Sequence, residues 1–439
     1  MNEYQQQPID SESAERLASQ GLRMRLVDTT SPEFPVWLQA VSRGFHGARP
    51  SEESIREQMA GGAHRRATGV WDETGADAAS PVATVDSWPT ELTVPGRSSL
   101  TAWAISGVTV AATHRRRGIA RALLEAELRT AHALGVPMAM LTVSESTIYS
   151  RYGFAPAAMA ADWSIDTLRA KWAGPTASGR VHFVTVEQGL AAGAELIERV
   201  RLDVPGEIEF SGYLWERMFG IYGDDKELGK QLRVVRYDDE AGLPQGLAIY
   251  RVAEVPGIAF THTLELKYLV TATDDAYAGL WRYLLEMDLI SVVTSSLRFP
   301  DEAVAWQVSD FRAAHKTKEQ DHLWTRILDL RAALEGRSYG APGRILLEVS
   351  DPLAFAAGRV MLTIDADGSA TVTPFDAAIP DAVPALSLTV NELSAIHLGG
   401  VSAVTLAQAG RITELSPGAA VAADAAFRSA VTPRLSIWF

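Results

Sequence analysis

The sequence predicts a mixed α/β fold: one layer of strands and helices, a second layer in the same order, then a small α+β block. Three observations predict it. A β-branched run from Ile105 to Ala111 passes through a basic, glycine-containing turn into a helix beginning near Gly118. Apolar runs of strand length alternate with helically spaced stretches over residues 22–165, and the same order returns over 181–289. At 439 residues the chain is long for one core, and its length alone allows two to three domains.

Taken in order, residues 1–20 are polar and read as loose. Leu22–Val27 alternates like a strand, Phe34–Phe45 carries apolar residues at helical spacing, and Ser51 offers a hydroxyl to cap a helix reaching Ala60. Ala67–Trp71 and Pro81–Trp88 form a hairpin with Gly75 in its turn. The strand at 105–111, the basic turn, a helix over 119–134 and the apolar strand Met138–Val143 follow. Ala161–Ile165 returns as a strand. Gly174–Gly179 is turn-rich and reads as a linker.

The second layer repeats this order. Val181–Val186 is a strand, 189–200 and 212–220 are helices, and Leu232–Tyr237 with Gly246–Val252 is a hairpin. Thr263–Thr273 leads into a helix from Asp274, which caps it, to about Leu289. Where the first layer has His114-Arg-Arg-Arg-Gly-Ile-Ala120, the second has Asp274-Asp275 opening its helix. Two carboxylates stand where an anion would bind, so this copy reads as structural or as lining a substrate cleft. The last block opens near Leu323–Leu334. Its short strands are Arg344–Val349, Val360–Ile364 and Thr371–Thr373, its hairpin turn is Asp365–Gly368, and its helices are Val390–His397 and Ala422–Phe427.

The basic turn carries the chemistry. A strand, a glycine turn and a helix start aim free backbone N–H groups and the positive end of a helix dipole into one space, which binds phosphate. Gly118 lets the backbone approach an anion, Ala120 keeps the first helical turn thin, and Arg116, Arg117 and Arg121 add charge. No Gly-Lys-Ser/Thr follows, and three spaced glycines are absent, so neither the Walker nor the dinucleotide pattern is present.

Composition narrows the classes further. The net charge of −14 argues against general nucleic-acid binding and suits a cationic substrate. The absence of cysteine removes disulfides, thiolate nucleophiles and cysteine zinc sites. His46, His64, His114 and His132 show no metal-ligand spacing, so no metal is expected. Neither a signal peptide nor a membrane-length apolar run is visible, and a soluble cytoplasmic protein is expected.

Arg115-Arg-Arg-Gly118-Ile-Ala120 resembles the acetyl-coenzyme A pyrophosphate loop of the GNAT N-acetyltransferases. Together with Ser144–Phe154, the doubled layer and an aromatic C-terminal residue, it resembles the Eis (enhanced intracellular survival) family. The resemblance implies tandem GNAT-like domains over 1–165 and 166–318 and a sterol-carrier-protein-like α+β domain over 319–439. It also implies a homohexamer that acetylates amines of aminoglycosides or lysine side chains through a ternary complex. Val108, Thr109 and Val110 would pair with the donor's pantetheine amides. Arg116, Arg117, Gly118, Ile119, Ala120 and Arg121 would cradle its pyrophosphate, and Ser144 and Glu145 would also touch it.

Amine acetylation needs a proton removed from the attacking ammonium and one delivered to the departing thiolate. Tyr149 stands at the family's general-acid position. The terminal carboxylate of Phe439 stands at its general-base position; its ordinary pKa is about 3.5, and burial against Ile437-Trp438-Phe439 would raise it. Tyr152 reads as packing. In one departure, Trp438 occupies the place beside the terminal aromatic where an acidic residue is expected. Gly44–Ala48 also lacks a carboxylate to grip a polycation. A non-catalytic acyl-CoA sensor on the same scaffold, and a donor with a longer acyl chain, stay open at this point.

Overall fold

The computed structural model describes residues 2–222 and 226–439. They group into two compact units. One comprises residues 1–157, 323–430 and 439; the other comprises 158–322 and 431–438.

In the first unit the chain begins with helices where loose chain is expected, at Glu3–Gln6 and Ser11–Ala18. The reason is local and tertiary together. Asp10 caps the second helix by accepting from Ser13 N, its carboxylate is held by Arg129 at 2.9 and 3.0 Å, and Leu17 is fully buried. Strands β1 (Leu22–Val27), β2 (Arg66–Asp72), β3 (Ala83–Val94) and β4 (Ser98–Val110) form an antiparallel series, and β5 (Met138–Thr142) joins β4 in parallel. The strands β3 and β4 are far longer than expected and meet in a hairpin at Pro95–Arg97, where Gly96 and Arg97 both have positive φ.

The crossover helix Ile119–Ala133 packs on one face of this sheet. Its buried Glu127 accepts from Ser87, the Trp103 indole and Thr68 at 2.5, 3.1 and 3.4 Å. Strand β6 (Ala155–Asp166) then carries the chain into the second unit.

There the strands β7 (Arg180–Phe183), β8 (Arg233–Asp238), β9 (Pro244–Glu254), β10 (His262–Thr271) and β11 (Ile290–Arg298) pair in the order β6–β11–β10–β9–β8–β7. The pair β10 and β11 is parallel and flanks the helix Asp274–Leu285, matching β4, its helix and β5. That helix is capped by Thr273, whose hydroxyl accepts from Ala276 N, and not by Asp274. Asp275 is engaged by the chain's own groups: the Ser178 N–H at 3.2 Å, the Ser178 hydroxyl and the Tyr237 hydroxyl. The expected linker Gly174–Gly179 therefore lies inside this unit, pinned by Ser178 and by Gly179 N donating to Tyr237 Oη at 2.6 Å.

Strand β12 (Ala314–Ile327) leads back, and its last five residues pair with β5 in the first unit. The remaining strands are β13 (Gly343–Ser350), β14 (Gly358–Ile364), β15 (Ala370–Pro374), β16 (Ala385–Thr389) and β17 (Thr413–Glu414). They form a separate sheet in the order β15–β14–β13–β16–β17. No helix among the described residues is long and apolar enough to cross a membrane.

Candidate active site

The site is created by two parallel strands that part. β4 and β5 pair only at Ala102–Ala104 with Met138–Met140. β4 then continues to Val110 with β3 on one side alone. Its register against β3 slips between Thr84 and Asp86, where Gly107 has φ +60°. Such a bulge bends the strand away from its former neighbour. Val108, Thr109 and Val110 therefore offer backbone groups along an unpaired edge, which can bind an extended amide chain by strand addition. The Thr109 side chain turns inward instead, its hydroxyl 2.7 Å from that of Thr84.

Past this edge the chain turns through Ala112–His114 into the helix at Ile119. Gly118 is its N-cap with φ +75°, no side chain caps the helix, and nothing lies within 4 Å of where a Cβ would stand. The N–H groups of the first turn, at Ile119, Ala120 and Arg121, thus have no side-chain capping acceptor, an arrangement that fits a pyrophosphate. Arg116 is exposed and left-handed, φ +64°. Arg117 donates to Gln20 O at 3.0 Å, and Arg121 to Glu125 at 2.6 Å, so both are held by the chain itself. His114 fixes the turn from behind through Asp72 at 3.1 Å, and hydrogen bonds from Thr74 and His114 hold the Asp72 carboxyl down at about 2.

Beyond β5 the loop carries the candidate acid. Ile119 and Tyr149 are buried in one core cluster, and Val108, Val110 and Ile148 pack against it. Ser144 lies beside the Tyr149 hydroxyl. Burial raises the phenol's pKa above the ordinary 10.0, and the charge of Glu145 adds to the rise against the opposing effect of Ser144. The phenol is therefore protonated at neutral pH, as a proton donor must be. Ser144 and Glu145 are exposed, and in this structure they act on Tyr149.

The other half of the site lies on the opposite face of the sheet from the crossover helix. Pairing sets Trp88, Ala104 and Met140 in one row, and alternation puts Asp86 and Thr142 on that same face. Thr142 Oγ1 donates to the terminal oxygen of Phe439 at 3.1 Å, and the Phe439 ring meets Trp88 edge-on at 5.6 Å. Arg65 stacks over Trp88 at 4.1 Å, and its guanidinium donates to Asp86 at 2.7 Å. Thr142, Trp88, Arg65 and Asp86 were not singled out by sequence. Their only signal is the alternation of Asp86 and Trp88 along β3, and nothing local ties Arg65 or the C-terminus to it.

The segment after Tyr149 is held from the last block. Asn391 donates from Nδ2 to Ser150 O and Phe154 O, both at 2.8 Å. Arg326 donates to Tyr152 O at 3.1 Å while pairing with Asp351 at 2.7 and 2.8 Å. Gly153 has φ +89°, and a Cβ there would lie 2.9 Å from both Arg326 Nε and Val390 Cγ1, so the tight turn requires glycine.

Family models match in three places: an acetyltransferase (GNAT) domain over residues 26–157, another over 208–332, and a sterol carrier protein domain over 330–436. An uncharacterized N-acetyltransferase of Streptomyces avermitilis is 36% identical over 405 residues, covering 90% of this chain and 94% of that one. The N-acetyltransferase Eis of Mycobacterium tuberculosis is 32% identical over 360 residues, covering 79% of this chain and 83% of its own. The crystal structure of Eis1 from Mycobacterium abscessus superposes with a TM-score of 0.78 at 26% identity, covering 95% of this chain and all of that one. A GCN5-related N-acetyltransferase from Anabaena variabilis shares the fold, with a TM-score of 0.79 at 18% identity over 95% of this chain and 100% of its own.

Proposed function

The chain belongs to the Eis family of N-acetyltransferases, and from that premise we propose that it acetylates a primary amine of the aminoglycoside or lysine type in a ternary complex. The donor, acetyl-CoA, supplies when bound an activated acetyl group and a thiolate leaving group. Val108, Thr109 and Val110 would hold its amide arm, and the open N-terminus at Gly118–Arg121, with Arg116 and Arg117, its pyrophosphate. Ser144 and Glu145 would lie alongside.

The remaining steps belong to the chain. The terminal carboxylate of Phe439 accepts the proton that the attacking ammonium must lose. Tyr149, kept protonated by burial, donates its proton to the departing sulfur. One observation carries this reading. The Phe439 oxygen is bonded at Thr142 and the Tyr149 phenol lies close enough to Ser144 to feel it, so the two proton carriers sit beside positions two residues apart, where β4 has separated from β5. A homohexamer and a cytoplasmic location are part of the same proposal, on the strength of the family likeness and the composition.

Thiol release from acetyl-CoA, followed with aminoglycosides, polyamines and lysine peptides, tests it. Turnover on an amine, cut sharply in both Tyr149→Phe and a C-terminally extended chain, is the expected result. Donor binding without turnover on any of them would favour an acyl-CoA sensor.

A further inference from the structure

Around Phe439 the structure gathers Trp88, the His64 ring at 5.7 Å from it, and Arg65 stacked on its face. The nearby carboxylate, Asp86, is 4% exposed. One of its oxygens is taken by Arg65; the other, Oδ1, is buried with no hydrogen-bond partner and lies 2.7 Å from where a Cβ on Gly107 would be. Burying a carboxylate is tolerable only if it is paired, and the Arg65 guanidinium supplies that pairing. Arg65 itself keeps 20% of its side chain exposed.

An approaching polyamine would thus find the guanidinium of Arg65, and not a second free carboxylate at Asp86, in the group around Phe439. A second ammonium could gain from Asp86 only by displacing Arg65. A single ammonium on an apolar or aromatic body meets no such opposition and can rest its body on the half-buried Phe439 ring. Resting on the transferase reading given above and narrowing its acceptor to the lysine type, we propose that Arg65 is a specificity-determining residue: by neutralising Asp86 and covering Trp88 it makes the site select singly charged amines with apolar or aromatic bodies over polycations such as aminoglycosides.

The test uses the full-length protein and two acceptors, phenethylamine and spermidine. The ratio of their kcat/KM values is measured in the wild type, Arg65→Gln, Arg65→Lys and Arg65→Gln/Asp86→Asn. The wild type should favour phenethylamine. Arg65→Gln, which exposes an unpaired Asp86, should move the ratio about tenfold toward spermidine. The double variant should reverse that movement, and Arg65→Lys, which keeps the charge, should stay near the wild type. The affinities of both amines for the CoA-saturated proteins, by calorimetry, give the same ratio without turnover. A wild-type preference for spermidine, or a ratio that Arg65→Gln leaves unchanged, would overturn the assignment. Absence of turnover with a binding ratio that still shifts would instead overturn the transferase reading and leave Arg65 as the selector.

Discussion

Thr142 Oγ1 donates to the Phe439 main-chain oxygen at 3.1 Å, which holds residue 439 against the last residue of β5. The Phe439 ring meets Trp88 edge-on at 5.6 Å. Extending the chain by a few residues moves the carboxylate away without touching the donor's strand edge or helix terminus. Turnover should fall by about 10²-fold or more, with affinity for acetyl-CoA unchanged by calorimetry. Thr142→Val should produce a smaller loss, in kcat rather than in the donor's KM. Indifference to the extension would remove the terminal carboxylate from the chemistry.

Tyr149 gives a second test with a direction in pH. Its phenol is pushed above 10.0 chiefly by burial, and a proton donor works only while protonated. Activity that depends on it should persist up to that range and decline as pH rises through the folded pKa. Tyr149→Phe should lower kcat by about 10²- to 10⁴-fold and abolish that alkaline limb, while the donor still binds. A limb that survives in the variant would belong to another group.

Local chemistry was legible in the sequence and long-range assembly was not. The Gly118 turn and the helix at Ile119 declare themselves within a dozen residues. β3 and β4 run past the expected strands at 81–88 and 105–111, through Pro89 and a Ser- and Thr-containing stretch that carries little strand signal of its own. In the fold Pro89 pairs with Trp103 without needing its missing N–H there. The helix Ser11–Ala18 was missed because its stability rests on Arg129, 119 positions from Asp10. Arg65, Asp86, Trp88 and Thr142 come together only through sheet register and the return of the C-terminus, which no short window contains.

Asn391 shows what the last block contributes to the candidate acid. Its two amide bonds to Ser150 O and Phe154 O span the turn that directly follows Tyr149. A displacement of about 1 Å at a reacting group can cost about 10²-fold. Asn391→Asp keeps the volume but removes both donors, so it should lower kcat by about tenfold or more with the donor's KM nearly unchanged. Asn391→Gln, which keeps the amide, should recover part of the loss. A change confined to thermal stability would make the contact structural only.

His397 gives a test of stability against acid. It is fully buried, bonded through Nε2 to Ala333 O at 2.8 Å, and burial with the neighbouring Arg337 charge holds its pKa down at about 3. Unfolded, the ring takes a proton near its ordinary 6.5. A histidine depressed in the folded state favours folding above the unfolded value, and that contribution is lost as pH falls, because the unfolded chain then binds the proton that the folded one refuses. Stability should therefore decline between about pH 6.5 and 3. Arg337 sharpens the effect: it is buried among the carbonyls of Ser338, His397 and Phe427, so a second cation beside it is doubly opposed. His397→Gln keeps the option of donating to Ala333 O and cannot ionise. Urea unfolding at pH 7.5 and pH 5 should show the wild type losing more stability than this variant on acidification, and equal losses would assign the acid sensitivity elsewhere.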